Sequence, residues 1–104
     1  MGHIIDMTTD DVYSFIGSGK AVVDIFAKDF CVPCKMMEPL INKISEKHDD
    51  VKFIKVNIED HYKVTEDLSV SSVPTLIFFK NGEEVDRMIG LSSEEDIEVK
   101  INSL

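Results

Sequence analysis

Short β-branched apolar runs alternate along this chain with stretches of helical period, and that alternation narrows the possible folds more than any other feature. Residues 21–27 are apolar apart from Asp24 and read as a buried central strand. Residues 51–58 and 75–80 read as further strands, and Ile4-Ile5 begins another short one. Between these runs the period changes. Val12, Phe15 and Ile16 share one side of a helix that Thr8 or Thr9 caps and Gly17 and Gly19 end. From Pro33 toward His48, Met36, Met37, Leu40, Ile41 and Ile44 recur at helical spacing, and Pro39 is expected to bend this helix near Cys34 and Lys35 rather than split it. Residues 60–68 form a short helix with Val64 and Leu68 inward. Asn81-Gly82 signals a tight hairpin, whose central positions both need positive φ, so residues 84–89 should pair antiparallel with the strand before them. Ser92 or Ser93 caps a last helix, with Glu95 and Asp96 in its first turn and Ile97, Ile101 and Leu104 facing the sheet. The order β-α-β-α-β-α-β-β-α predicts an α/β fold, with a mixed sheet of about five strands flanked by about four helices. Its core should be parallel, and the hairpin should add an antiparallel edge.

A chain of 104 residues suits one domain, here residues 1–104, and 43% hydrophobic content is enough to bury a core. The formal net charge of -9 repels phosphate backbones and anionic lipid, so neither nucleic acid nor a membrane surface is an expected partner. Apolar runs such as Leu76-Ile77-Phe78-Phe79 fall far short of the roughly 18 residues of a membrane span. Met1-Gly2-His3-Ile4-Ile5-Asp6 has no export signal and Asp6 breaks the myristoylation pattern, which makes the cytoplasm the expected address.

The only two cysteines fall between the apolar strand and the long amphipathic helix, as Cys31-Val32-Pro33-Cys34. At a helix start Cys31 meets unpaired N–H groups and a positive dipole end, which favours its thiolate. A thiolate attacks disulfides, and a second thiol three residues on can resolve the mixed disulfide before substrate escapes. A purely structural bridge closing so short a loop would contribute only ~2 kcal/mol. Zinc would need two further ligands, and the C-x2-C-x13-H-x12-H arrangement with His48 and His61 lacks the short histidine spacing of a finger, which His3 does not repair. Haem attachment requires a histidine where Lys35 stands. No metal or cofactor is therefore expected.

Phe30-Cys31-Val32-Pro33-Cys34-Lys35 resembles the active-site segment of the thioredoxin family, usually Trp-Cys-Gly-Pro-Cys-Lys. The likeness extends over nearly the whole chain. Val22-Val23-Asp24-Ile25-Phe26-Ala27 is similar to the family strand with its buried Asp, and Pro39 stands where the family kinks its active-site helix. Lys55 falls where the family has a buried Lys, and Val73-Pro74-Thr75 looks like its cis-proline loop, followed by Phe79-Lys80-Asn81-Gly82 and Gly90. Two departures stand out: Lys28-Asp29-Phe30 carries one residue more than the family usually has, and Val32 replaces Gly. The stiff Val32 side chain should bear on redox potential and substrate range. Glutaredoxins more often carry Cys-Pro-Tyr-Cys and a paired glycine after the cis-proline loop, and neither is present.

The resemblance implies a thioredoxin fold and a cofactor-free, monomeric protein-disulfide reductase, in which Cys31 attacks a substrate disulfide and Cys34 closes the Cys31–Cys34 bridge. A separate thioredoxin-reductase-type donor would restore the dithiol. It further implies that Phe30, Val32, Pro33 and Lys35 form the active-site loop, and that Val73, Pro74 and Gly90 receive substrate, the backbone of Val73 offering its N–H and C=O to an extended segment. Asp24 and Lys55 join the catalytic group. A carboxylate in a buried strand is costly unless used or neutralised, so Asp24 either pairs with Lys55, takes the proton from Cys34, or does both. Met36 and Met37 read as core filler, the three histidines have no partners suggesting catalysis, and the acidic stretches read as solvated surface. Two other readings remain: a thiol oxidase or isomerase with a less negative potential, and a module of the same fold that only docks on a partner.

Overall fold

The computed structural model describes residues 4–6 and 9–104; His3 and the Thr8 cap lie outside them. Its elements are β1 (Ile4–Asp6), α1 (Thr9–Ile16), β2 (Lys20–Phe26), α2 (Val32–Ser45), β3 (Val51–Asn57), α3 (Tyr62–Asp67), β4 (Thr75–Lys80), β5 (Glu83–Ile89) and α4 (Glu94–Asn102). The strands form a five-stranded mixed sheet in the order β1-β3-β2-β4-β5.

Alternation along β2, β3 and β4 sends side chains to two faces, and each face carries its own core. Val23, Ile25, Ile54, Val56, Ile77 and Phe79 pack under α1 and α3 with Val12, Ile16 and Val64. On the other face, Val22, Phe53, Leu76 and Phe78 pack under α2 and α4 with Met37, Ile41, Ile44, Ile97 and Ile101. Phe53 and Phe78 are fully buried, each worth about 2–3 kcal/mol of transfer free energy. Asp24 shares its strand face with Val22, so it points toward α2, as does Lys55, its lateral partner in the parallel β2–β3 ladder.

One sequence expectation needs correction. The parallel part of the sheet is only β1-β3-β2, and β4 runs antiparallel to β2 although a helix precedes it. The two connecting helices differ in reach. The 14 residues of α2 rise about 21 Å, enough to carry the chain back along a strand, whereas the 6 residues of α3 rise only about 9 Å. The chain therefore enters β4 from the end where it left β3, with Thr75 beside Ile25. The hairpin then follows, with Asn81 at φ 51 and Gly82 at φ 87. Asn81 also fastens this turn to the α1–β2 connection, accepting from Gly19 N–H at 2.9 Å and donating its own N–H to Gly19 O at 2.8 Å. Ser93 caps α4 by accepting from Asp96 N–H at 3.1 Å. The helix α2 continues through Pro39 as one unit. Among the described residues no helix is long and apolar enough to cross a membrane.

Candidate active site

The end of β2, the start of α2 and the start of β4 meet at one end of the sheet's interior strands, and both cysteines lie there. Cys31 is the N-cap of α2, with φ -127 and ψ 91, and its Sγ accepts from Cys34 N–H at 3.2 Å. Pro33 fits the first turn because its fixed φ is helical and its missing N–H has no intrahelical partner to lose. The sulfurs are joined as a disulfide, with the two Cα atoms 5.3 Å apart. Exposure does not separate the two cysteines, which are 7% and 6% accessible. Their positions do. Cys31 occupies the cap, where the N–H group of Cys34 and the helix dipole can hold a thiolate, and Cys34 lies inside the first turn facing a cleft.

The Val73–Pro74 peptide bond is cis, and Cys31 Sγ lies 3.9 Å from Val73 O. Thr75 steadies this loop by donating its hydroxyl to Ser72 O at 2.8 Å. Gly90, at φ 89, donates its N–H to Pro74 O at 2.8 Å and so ties the end of β5 to the same loop. The structure thus brings Cys31, Val73, Pro74 and Gly90 together.

In the segment 28–30, which departs from the family pattern, the backbone of Phe30 sits in the left-handed region at φ 59. Its ring is fully exposed and covers neither sulfur. Val32, Pro33 and Lys35 are exposed around the disulfide as well. Met37 is core, but Met36, expected as core too, is 53% accessible. It sits one residue off the buried stripe of Cys34, Met37 and Ile41, which turns it outward beside the active-site loop.

Behind Cys34 a cleft of about 380 Å³ is lined by Phe26, Ala27, Lys28, Asp29, Lys35 and Glu38. A second hollow of about 280 Å³ shares Phe26, Lys28 and Glu38 with it and reaches Lys55, Asn57 and Asp60. Asp24, on the β2 face toward α2, is 4% accessible, with Oδ1 buried and lacking a hydrogen-bond partner. Burial pushes its carboxyl up from the ordinary 3.8 to about 7; Lys55 draws it down and Glu38 adds to the rise. Of the readings open for Asp24, a direct ion pair with Lys55 is not the contact observed. Lys55 Nζ lies 3.9 Å from Glu38 Oε2 and 4.8 Å from the centre of the Phe26 ring, so it acts on Asp24 through its charge across the ladder. Glu38 was not among the residues singled out from sequence, although its place four residues after Cys34 puts it on the same helix face.

The two described histidines, His48 and His61, line neither hollow. His48, just beyond the far end of α2, pairs through Nε2 with Glu98, and the buried His61 caps α3 through its backbone. Among the described residues no three His, Cys, Asp or Glu side chains converge as a metal-binding group.

Comparison with known proteins agrees with this geometry. A family model described as Thioredoxin matches residues 4–103. The chain is similar to a thioredoxin of Chlamydia caviae, 41% identical over 96 residues, covering 92% of this chain and 93% of that one. Thioredoxin-2 of Saccharomyces cerevisiae is 45% identical over 74 residues, covering 71% and 70% respectively. Among solved structures, the oxidised form of mitochondrial thioredoxin 3 from Saccharomyces cerevisiae superposes with a TM-score of 0.88 at 28% identity, covering 97% of this chain and 95% of that one.

Proposed function

The chain belongs to the thioredoxin family and is a protein dithiol–disulfide oxidoreductase, and from this premise we propose that it works as a reductant of protein disulfides with Asp24 managing the resolving proton. The observation that carries this reading is the disulfide at the α2 N-terminus, beside the Val73–Pro74 loop, on a helix that packs over the sheet face carrying the buried Asp24 carboxyl.

In the forward cycle the Cys31 thiolate attacks one sulfur of the substrate disulfide, a mixed disulfide forms, and one substrate thiolate leaves. Cys34 gives its proton to the Asp24 carboxylate and attacks the Cys31 sulfur. The Cys31–Cys34 bond forms, the second substrate thiolate departs, and two electrons have passed to substrate. An acceptor whose pKa is near 7 suits proton transfer at neutral pH. Water entering the cleft behind Cys34 gives that proton a route to bulk solvent. Val73 offers backbone N–H and C=O groups to an extended substrate segment, with Pro74 and Gly90 shaping the groove and Phe30, Val32, Pro33 and Lys35 forming its rim. Lys55 completes the catalytic group through its charge.

A reductase-type donor must return two electrons per cycle, which fits a cytoplasmic address where thiols are kept reduced. We read the chain as a monomeric single domain. Insulin reduction tests the proposal: catalysis of dithiothreitol-dependent precipitation is expected, and no gain over dithiothreitol alone would refute it. Titration in a glutathione or dithiothreitol buffer separates a reductant from an oxidase or isomerase, because 30 mV corresponds to about 1.4 kcal/mol.

A further inference from the structure

Cys34 and Glu38 are one helical turn apart on α2 and line the same cleft. Glu38 also borders the adjoining hollow, where its Oε2 lies 3.9 Å from Lys55 Nζ. Lys55 is the lateral neighbour of Asp24 in the sheet, yet its ammonium rests between Glu38 and the Phe26 ring, 4.8 Å from the ring centre. Asp24 Oδ1 is left without a partner.

We propose that Glu38 is a positioning residue for the resolving step: it holds the Lys55 ammonium at the mouth of the cleft, so that Asp24 stays a proton acceptor for Cys34 instead of becoming half of an ion pair. The inference rests on the reading of Asp24 as that acceptor.

Two carboxyl groups compete for one ammonium here, and the exposed one holds it. An ammonium in direct contact with Asp24 would keep its carboxylate charged and weaken it as a base. The negative charge of Glu38 acts in the opposite sense, adding to the upward push of burial on Asp24. The other charged or titratable groups around this space are Cys34 and Lys35 on α2, Lys28 and Asp29 in the preceding loop, and Asp60 after β3. From β4 the neighbour of Asp24 is the apolar Leu76.

The test follows the Asp24 carboxyl by carbon-13 NMR from pH 4 to 10 in the oxidised protein, in wild type, Glu38→Gln, Lys55→Gln and the double variant. Glu38 is exposed and the amide keeps its shape, so the fold should persist. In Glu38→Gln the Asp24 midpoint should fall by about half a pH unit or more, and by less when Lys55 is already Gln. The pH–rate profile of single-turnover disulfide reduction should move to lower pH by the same amount, with a lower plateau because the base is weaker. An unmoved midpoint overturns the role of Glu38 whatever the rates do. A midpoint that moves while the rate profile stays fixed overturns Asp24 as the acceptor, and with it any part for Glu38 in resolution.

Discussion

Replacing Asp24 with Asn should stabilise the oxidised protein at alkaline pH and slow its chemistry, two effects of one buried carboxyl. Unfolded, Asp24 ionises near 3.8; folded, burial moves it to about 7. Between those values the native state holds a proton that the unfolded chain has lost, so the contribution of Asp24 to stability is greatest below about pH 4, falls as pH rises toward 7, and is constant above. A gap of about three pH units at about 1.4 kcal/mol each amounts to roughly 4 kcal/mol of strain at pH 8 or 9. Asn removes it but leaves an amide in a site with no hydrogen-bond partner, which costs ~1–3 kcal/mol. Lys55 keeps Glu38 and Phe26 as neighbours, so losing the carboxylate costs it little. The net gain at pH 9 is then about 1–3 kcal/mol, a rise in Tm on the order of 10 °C for a chain this size. At pH 4 to 5 the variant should be no more stable than wild type. Melting curves of both oxidised proteins from pH 4 to 9 check this, and a Tm difference that stays flat across the range would refute the raised carboxyl. Single-turnover reduction at pH 7 should slow about a hundredfold with the acceptor gone; an unchanged rate would leave Asp24 without a part in resolution.

Cys34→Ser should accumulate mixed disulfides with substrate proteins while Cys31→Ser forms none, read on non-reducing gels; equal trapping by the two variants would reverse the assignment of attacker and resolver. Phe30→Gly should stabilise the protein by about 1 kcal/mol, because the exposed ring loses no packing and glycine accepts the left-handed backbone at φ 59, a gain that urea unfolding would detect. Val32→Gly should lower stability by about half a kcal/mol through helix propensity in the first turn of α2 and should change the reduction potential; identical potentials would make Val32 a neutral replacement.

Local chemistry made much of this protein legible in its sequence. The turn at Asn81-Gly82 follows from residues that tolerate positive φ, the start of α4 from a serine that accepts an N–H bond, and the buried stripes of α2 and α4 from helical period. The cysteine pair at a helix start carried its redox meaning for the same reason: spacing and dipole act within one turn. Tertiary structure decided what depends on how far each connection reaches. The six residues of α3 do not carry the chain back along the sheet; β4 starts at the end where β3 stops and runs antiparallel to β2, and the Val73–Pro74 loop comes to within 3.9 Å of Cys31. It also decided the partner of Lys55. From sequence an ion pair with Asp24 is one of two readings for Lys55; packing α2 over the sheet brought in Glu38, whose exposed carboxylate can bind the ammonium without either charge leaving water entirely, and left Asp24 Oδ1 buried without a partner.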